Sequence, residues 1–299
     1  MKMALLDAHS ILERVAERIP DAVRSNIVVI GSIAAAWAFR DVSGTASVAT
    51  KDIDLLLRPS IDAVVKAEEV GRALFDAGWE PNYPQGWSPA SASTPEDQLP
   101  ALRLSPPAGD PWFVEFLAEP TNDQQTRKHW RRMQTDNGHF GLPSFRYMRV
   151  AVHDAERTPF GLHVVRPASM ALANLLEHAQ PDRTEVRNLG QPRYVKDVGR
   201  SVALWWLAQQ RTVPAADAWL SAWRNAFDAL YPGRSNEYIA AAALGLESIA
   251  SRLQDAHSIA VRSLLAPHGT TLAAYRRAYA GLNNLLADAS GTPILTADR

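Results

Sequence analysis

The stretch Thr50-Lys51-Asp52-Ile53-Asp54-Leu55-Leu56-Leu57 decides how the chain is read. Acid and aliphatic side chains alternate from Asp52 to Leu55, and residues two apart in a strand project from one face. Asp52 and Asp54 then point together, while Ile53 and Leu55 turn into a core. Two adjacent carboxylates resist ionising together unless a cation lies between them. Mg²⁺ characteristically takes one or two carboxylates together with substrate phosphates, and so removes that conflict. The alternative is a pair of solvated aspartates on the outer face of an edge strand.

Working outward, the segment Val28-Val29-Ile30-Gly31-Ser32-Ile33-Ala34-Ala35-Ala36-Trp37 reads as a buried strand that turns at Gly-Ser into a helix. Glycine allows a tight turn, and a helix N-terminus offers free N–H groups at the positive end of its dipole. A phosphate fits there, with Ser32 supplying its hydroxyl; packing is the competing reason for a Gly-Ser turn. Downstream, Trp112-Phe113-Val114-Glu115-Phe116-Leu117 places one acid in an otherwise apolar strand, where a carboxylate is seldom found unless paired or metal-bound. Beside the Asp-x-Asp strand, Glu115 completes a three-carboxylate cluster able to share a metal and act as base on an attacking hydroxyl. The alternatives for Glu115 are solvent or an ion pair with an arginine such as Arg103.

The surrounding sequence divides in two. Up to residue 166, strand-like runs (Ile27–Ile30, Ile53–Leu57, Leu102–Leu104, Trp112–Leu117, Tyr147–Val152, Leu162–Val165) alternate with helix-like ones (Ile33–Phe39, and Ile61–Ala77 with Ser60 as N-cap). The Pro- and Ser-rich segment from Pro81 to Pro111 reads as a long loop or ragged hairpin. After Arg166-Pro167, alanine-rich helical spacing takes over in Ser169–Ala179, Tyr194–Gln210, Ala215–Tyr231, Glu237–Ala256 and Leu272–Ala287. The expected class is α+β: a mixed-sheet domain over 1–166, followed by a helical bundle over 167–299.

Composition narrows the chemistry. Among 299 residues there is no cysteine, which excludes disulfides, thiolate zinc sites and cysteine nucleophiles. Thirty-one basic against 32 acidic residues give a net charge of −1, so nucleic acid would have to be met by a local patch. The densest basic run, Arg127-Lys128-His129-Trp130-Arg131-Arg132, reads as a solvated helix face, with RNA contact as its alternative. The histidines lack zinc spacing, and no hydrolase-elbow, P-loop or dinucleotide-binding motif occurs. Nothing approaches the roughly 20 apolar residues of a membrane span, and a cytoplasmic location without membrane contact is expected.

In order and context, Gly31-Ser32, Asp52-Ile53-Asp54 and Glu115 resemble the pattern of the polymerase β-like nucleotidyltransferase superfamily. The run Thr-Lys-Asp-Ile-Asp-Leu-Leu-Leu is most similar to abortive-infection, AbiEii-type toxin nucleotidyltransferases. Arg193-Tyr194-Val195-Lys196-Asp197-Val198 resembles the basic helix in which those proteins turn a cation toward the triphosphate. The match spans about residues 26–210, and Asn174 stands where relatives often carry lysine. The resemblance implies Mg²⁺-dependent transfer of a nucleoside monophosphate from an NTP to an acceptor hydroxyl, on RNA or tRNA, a protein or a small molecule. Two Mg²⁺ ions are expected on Asp52, Asp54 and Glu115, with Mn²⁺ as a substitute. Gly31, Ser32, Lys51 and Lys196 are the expected NTP-binding residues. It further implies a toxin of a toxin–antitoxin or abortive-infection system, with a cognate antitoxin as partner. The rival expectation is a catalytically inactive nucleotidyltransferase fold that binds a nucleotide or a protein, for which Asn174 and the near-neutral charge speak.

Overall fold

A computed structural model describes residues 5–42, 46–83, 90–107, 109–122, 128–180, 185–186, 190–211 and 215–290. Its centre is a mixed sheet of seven strands, in the order Glu156–Arg157, His163–Val164, Ile27–Ile30, Asp52–Leu57, Phe113–Ala118, Arg103–Ser105 and Glu80–Pro81. The Asp52–Leu57 strand lies in the middle, antiparallel to Ile27–Ile30 and parallel to Phe113–Ala118. Burial explains that place. Ile53, Leu55, Leu56 and Leu57 are all fully buried, as are Ile27, Val28 and Val29 beside them. The helix Ala63–Asp76 packs against this sheet through Ala67, Val70 and Leu74.

The helical half follows from Pro167. The helices Pro167–Glu177, Arg193–Ala208, Ala215–Leu230, Ser235–Glu247, Leu253–Ala260 and Leu272–Ser290 pack on one another. The first also contacts Met148–Val152 and Gly31–Ala38, so a single apolar core runs through both halves of the chain. Trp219 and Trp223 are core residues, and the Trp223 indole donates to the Ala168 carbonyl at 2.9 Å. The α+β class with a mixed sheet is therefore the architecture observed. Among the described residues no helix is long and apolar enough to cross a membrane.

Several local expectations need correcting. Tyr147–Val152 is not a strand: Met148–Val152 is a short helix entered through Tyr147 at φ 66°. Val150, Ala151 and Val152 are buried in succession, which the helix achieves by packing on Pro167–Glu177. The basic run is not a helix face either. Its residues from Lys128 onward begin a long hairpin, Lys128–Thr135 with Gly138–Phe145, and Arg127 lies outside the described residues. Arg131 donates to the Ser60 carbonyl, and Arg132 to the Ser91 and Thr94 carbonyls, so these cations tie down loops. Ser60 does not cap by its side chain; it opens a 3₁₀ turn at Ser60–Asp62, and its backbone N–H donates to Glu119. Glu237–Ala256 is two helices rather than one, broken at Ser248–Arg252.

Candidate functional site

Strand register assembles the acids. Asp54 stands beside Glu115 across the parallel pair, and Asp52 lies two residues away on the same face. On its other side Glu115 stands opposite Arg103 across an antiparallel pair. A charged row therefore crosses three neighbouring strands: Asp54, Glu115, Arg103. Beside Asp54 the strand Ile27–Ile30 ends at Ile30, its register partner, and Gly31 turns into the helix Gly31–Ala38. Gly31 has φ +75°, and a Cβ there would lie 2.6 Å from an Asp54 carboxylate oxygen. Both the backbone angle and the close approach require glycine.

The row floors two adjoining cavities. The larger, of about 480 Å³, is bordered by Ser32, Lys51, Asp52, Arg103, Glu115 and Arg262; the smaller, of about 300 Å³, by Gly31, Asp54, Arg146, Asn174, Glu177 and Arg193. Lys196 and Arg200 line both. They are one turn apart on the helix Arg193–Ala208, which roofs the acids from the helical half. All seven expected residues (Gly31, Ser32, Lys51, Asp52, Asp54, Glu115 and Lys196) thus border this pair of cavities. The ion pair with Arg103, one of the alternatives for Glu115, is the one formed, whereas Arg193 and Arg200 were not foreseen as lining the site. The spacing of Lys196 and Arg200 was a legible signal for Arg200, whereas Arg103 is brought in by register alone.

Charge is unevenly satisfied across the row. Burial, and then the neighbouring carboxylates of Asp52 and Glu115, push Asp54 up to about 8 against the pull of Arg200 and Lys196. Burial also opposes ionisation of Asp52, yet a hydrogen bond from the Thr50 hydroxyl and the charges of Lys196 and Arg200 outweigh it and hold Asp52 below the usual carboxylate range. Glu115 accepts from Arg103 Nε at 2.9 Å and Nη2 at 2.8 Å, both on Oε2. Behind the roof, Asp197 accepts from Arg193 Nε at 3.1 Å and lies 3.2 Å from Nε2 of the fully buried His178. Burial works against the Asp197 charge, but the His178 hydrogen bond and the Arg193 guanidinium hold its carboxyl well below the usual range. Asp197 is thus engaged by His178 and Arg193, and both members of the pair border the smaller cavity, while Lys196 alone also lines the larger. Asn174 Nδ2 is buried at the smaller cavity without a hydrogen-bond partner among the described residues.

The expected three-acid metal cluster is not assembled as the side chains stand: among the described residues no group of three Asp, Glu or His is placed to hold an ion. The cause is visible in the partners, since Thr50 engages Asp52 and Arg103 engages Glu115. The donor set nonetheless fits a hard divalent cation, with carboxylate oxygens on one face and an acid at Asp54 whose ionisation its neighbours oppose. Comparison with family models, with curated proteins and with solved structures finds no match in any of the three.

Proposed function

We propose that the chain is a metal-dependent nucleotidyltransferase, moving a nucleoside monophosphate from an NTP to an acceptor hydroxyl with release of pyrophosphate. The observation that carries this reading is the placement of Asp54 beside Glu115, with Asp52 on the same face, under a roof bearing Lys196 and Arg200. Asp52 and Asp54 would hold Mg²⁺ or Mn²⁺, and Glu115 would join them on the side of the attacking hydroxyl. Such ions, when bound, neutralise charge on the entering and leaving oxygens. The protein's share is positioning. The first turn of Gly31–Ala38 has no side-chain cap, so its N–H groups and the Ser32 hydroxyl are available to a phosphate. Lys51, Lys196 and Arg200 supply positive charge to the triphosphate. Glu115, once free of Arg103, is the group suited to take the acceptor's proton.

The test is incubation with labelled NTPs and Mg²⁺, followed by a search for label on protein, RNA or small acceptors. Label transfer by the wild type that disappears in Asp54→Asn supports the reading, and transfer that persists undiminished removes Asp54 from it. The Arg103–Glu115 pair favours one second reading, nucleotide binding without turnover. Saturable NTP binding with no transfer to any acceptor would select it. The toxin role and a cognate antitoxin partner belong to the first reading and are tested by growth arrest on expression of the wild type but not of Asp54→Asn.

A further inference from the structure

We propose that Arg103 is a positioning residue that masks the third acid in the nucleotide-free protein and releases it when a triphosphate enters. The inference rests on the metal-dependent reading above and adds to it the order in which the site assembles. Arg103 bonds Glu115 through two donors, Nε and Nη2, and its guanidinium carbon lies 5.5 Å from the centre of the Phe113 ring. Its side chain keeps a third of its surface exposed, against 16% for Glu115. Arg103 also lines both cavities, so its side chain borders the space that a triphosphate would enter in either. Arginine forks onto carboxylate and phosphate with similar geometry, so the exchange replaces one charge-assisted pair by another. The shift frees Glu115 beside Asp54 at the moment the substrate's own oxygens arrive to complete a metal site. Without it, the metal's third ligand is held by a guanidinium, which accounts for the unassembled cluster.

The test is Mn²⁺ binding, read by electron paramagnetic resonance and without catalysis, in the wild type, Arg103→Ala, Glu115→Gln and the double variant. Nucleotide-free Arg103→Ala is expected to bind Mn²⁺ on the order of tenfold more tightly than the wild type, the factor equal to about 1.4 kcal/mol. A non-hydrolysable NTP analogue is expected to tighten Mn²⁺ strongly in the wild type and less in Arg103→Ala, where Glu115 is already free. Removing any nearby cation raises metal affinity to some degree, and the double variant isolates the direct contact. In the Glu115→Gln background the gain from Arg103→Ala should largely vanish. An equal gain in both backgrounds overturns the mask, because the effect is then long-range charge alone. Arg103→Lys, which keeps the charge but not the two-pronged grip, is expected to fall between, and it covers the case in which the alanine variant fails to fold. Wild type that binds Mn²⁺ neither alone nor with nucleotide overturns the metal-dependent reading as well. Wild type that binds Mn²⁺ with nucleotide, beside an Arg103→Ala variant no tighter than it, overturns the mask only.

Discussion

Two acids that border the smaller cavity, Asp54 on the sheet and Asp197 on the roof helix, are held in opposite protonation tendencies, and each makes a separate expectation. Asp54 is pushed up to about 8 by burial and by its neighbours, so the native state holds that proton more tightly than the unfolded chain does. In a metal-free buffer its contribution to stability is therefore fully present below the ordinary carboxylate range and is lost as pH rises toward 8. Asp54→Asn should erase that slope, raise the melting temperature at pH 8 and abolish Mg²⁺-dependent transfer. Thermal melts with a chelator across pH 4–9, roughly the window set by that shift, check it; an unchanged slope in the variant would show the strain to lie elsewhere. Asp197 has the opposite sign. Its folded carboxyl is held well below the usual range, first against burial and then by His178 and Arg193, so its contribution is present above the unfolded value and lost as pH falls through the acid range. Asp197→Asn should remove part of the acid-denaturation slope and cost about 2 kcal/mol at neutral pH. That figure is smaller than for a fully buried pair because the Arg193 side chain stays 46% exposed. Denaturant midpoints at acid and neutral pH measure both effects.

Among the elements, the roof depends on how closely the helices of the second half approach. A Cβ on Gly245, in Ser235–Glu247, would lie 1.9 Å from the Leu175 carbonyl oxygen of Pro167–Glu177, so the two helices meet backbone to side-chain position. Backbone cannot yield as a flexible side chain can. Gly245→Ala should cost about 3 kcal/mol and lower the melting temperature by several degrees; a melt within a degree of wild type would mean the helices slide apart freely. A similar contact fixes the roof helix itself, where Tyr275 Oη donates to the Gly199 carbonyl at 2.7 Å. At this scale the periodicities of the sequence served well wherever burial fell on one face. They failed at Met148–Val152, whose consecutive buried residues carry no period, and at Lys128–Thr135, where charges on a strand bond to carbonyls of neighbouring loops.

At the scale of the whole molecule, the site exists only because the two halves face each other. Lys196 and Arg200 come from the helical half and the acids from the sheet, and the shared core holds one against the other. Lys196→Ala and Arg200→Ala should each weaken NTP binding in the presence of Mg²⁺ by roughly tenfold, since each removes one cation from the triphosphate's surroundings. Each should also lower the melting temperature modestly at neutral pH, because the same two cations help hold the Asp52 carboxylate ionised. Calorimetric titration with a non-hydrolysable NTP analogue checks this, and unchanged affinity in both variants would reduce the roof to a scaffold. By itself the sequence determined the α+β class, a strand carrying Asp52 and Asp54 on one face, the Gly-Ser turn and the basic face of the roof helix, with Arg193 one turn before Asp197. Each of these follows from side-chain period or backbone freedom within a few residues. Only the tertiary structure decided that, of the alternatives open to Glu115, the ion pair with Arg103 is formed, that Arg200 joins Lys196 over the acids, and that His178 binds Asp197. Those pairings join residues from different strands and helices, and strand register and helix packing are set by the burial of the whole core rather than by any segment read alone.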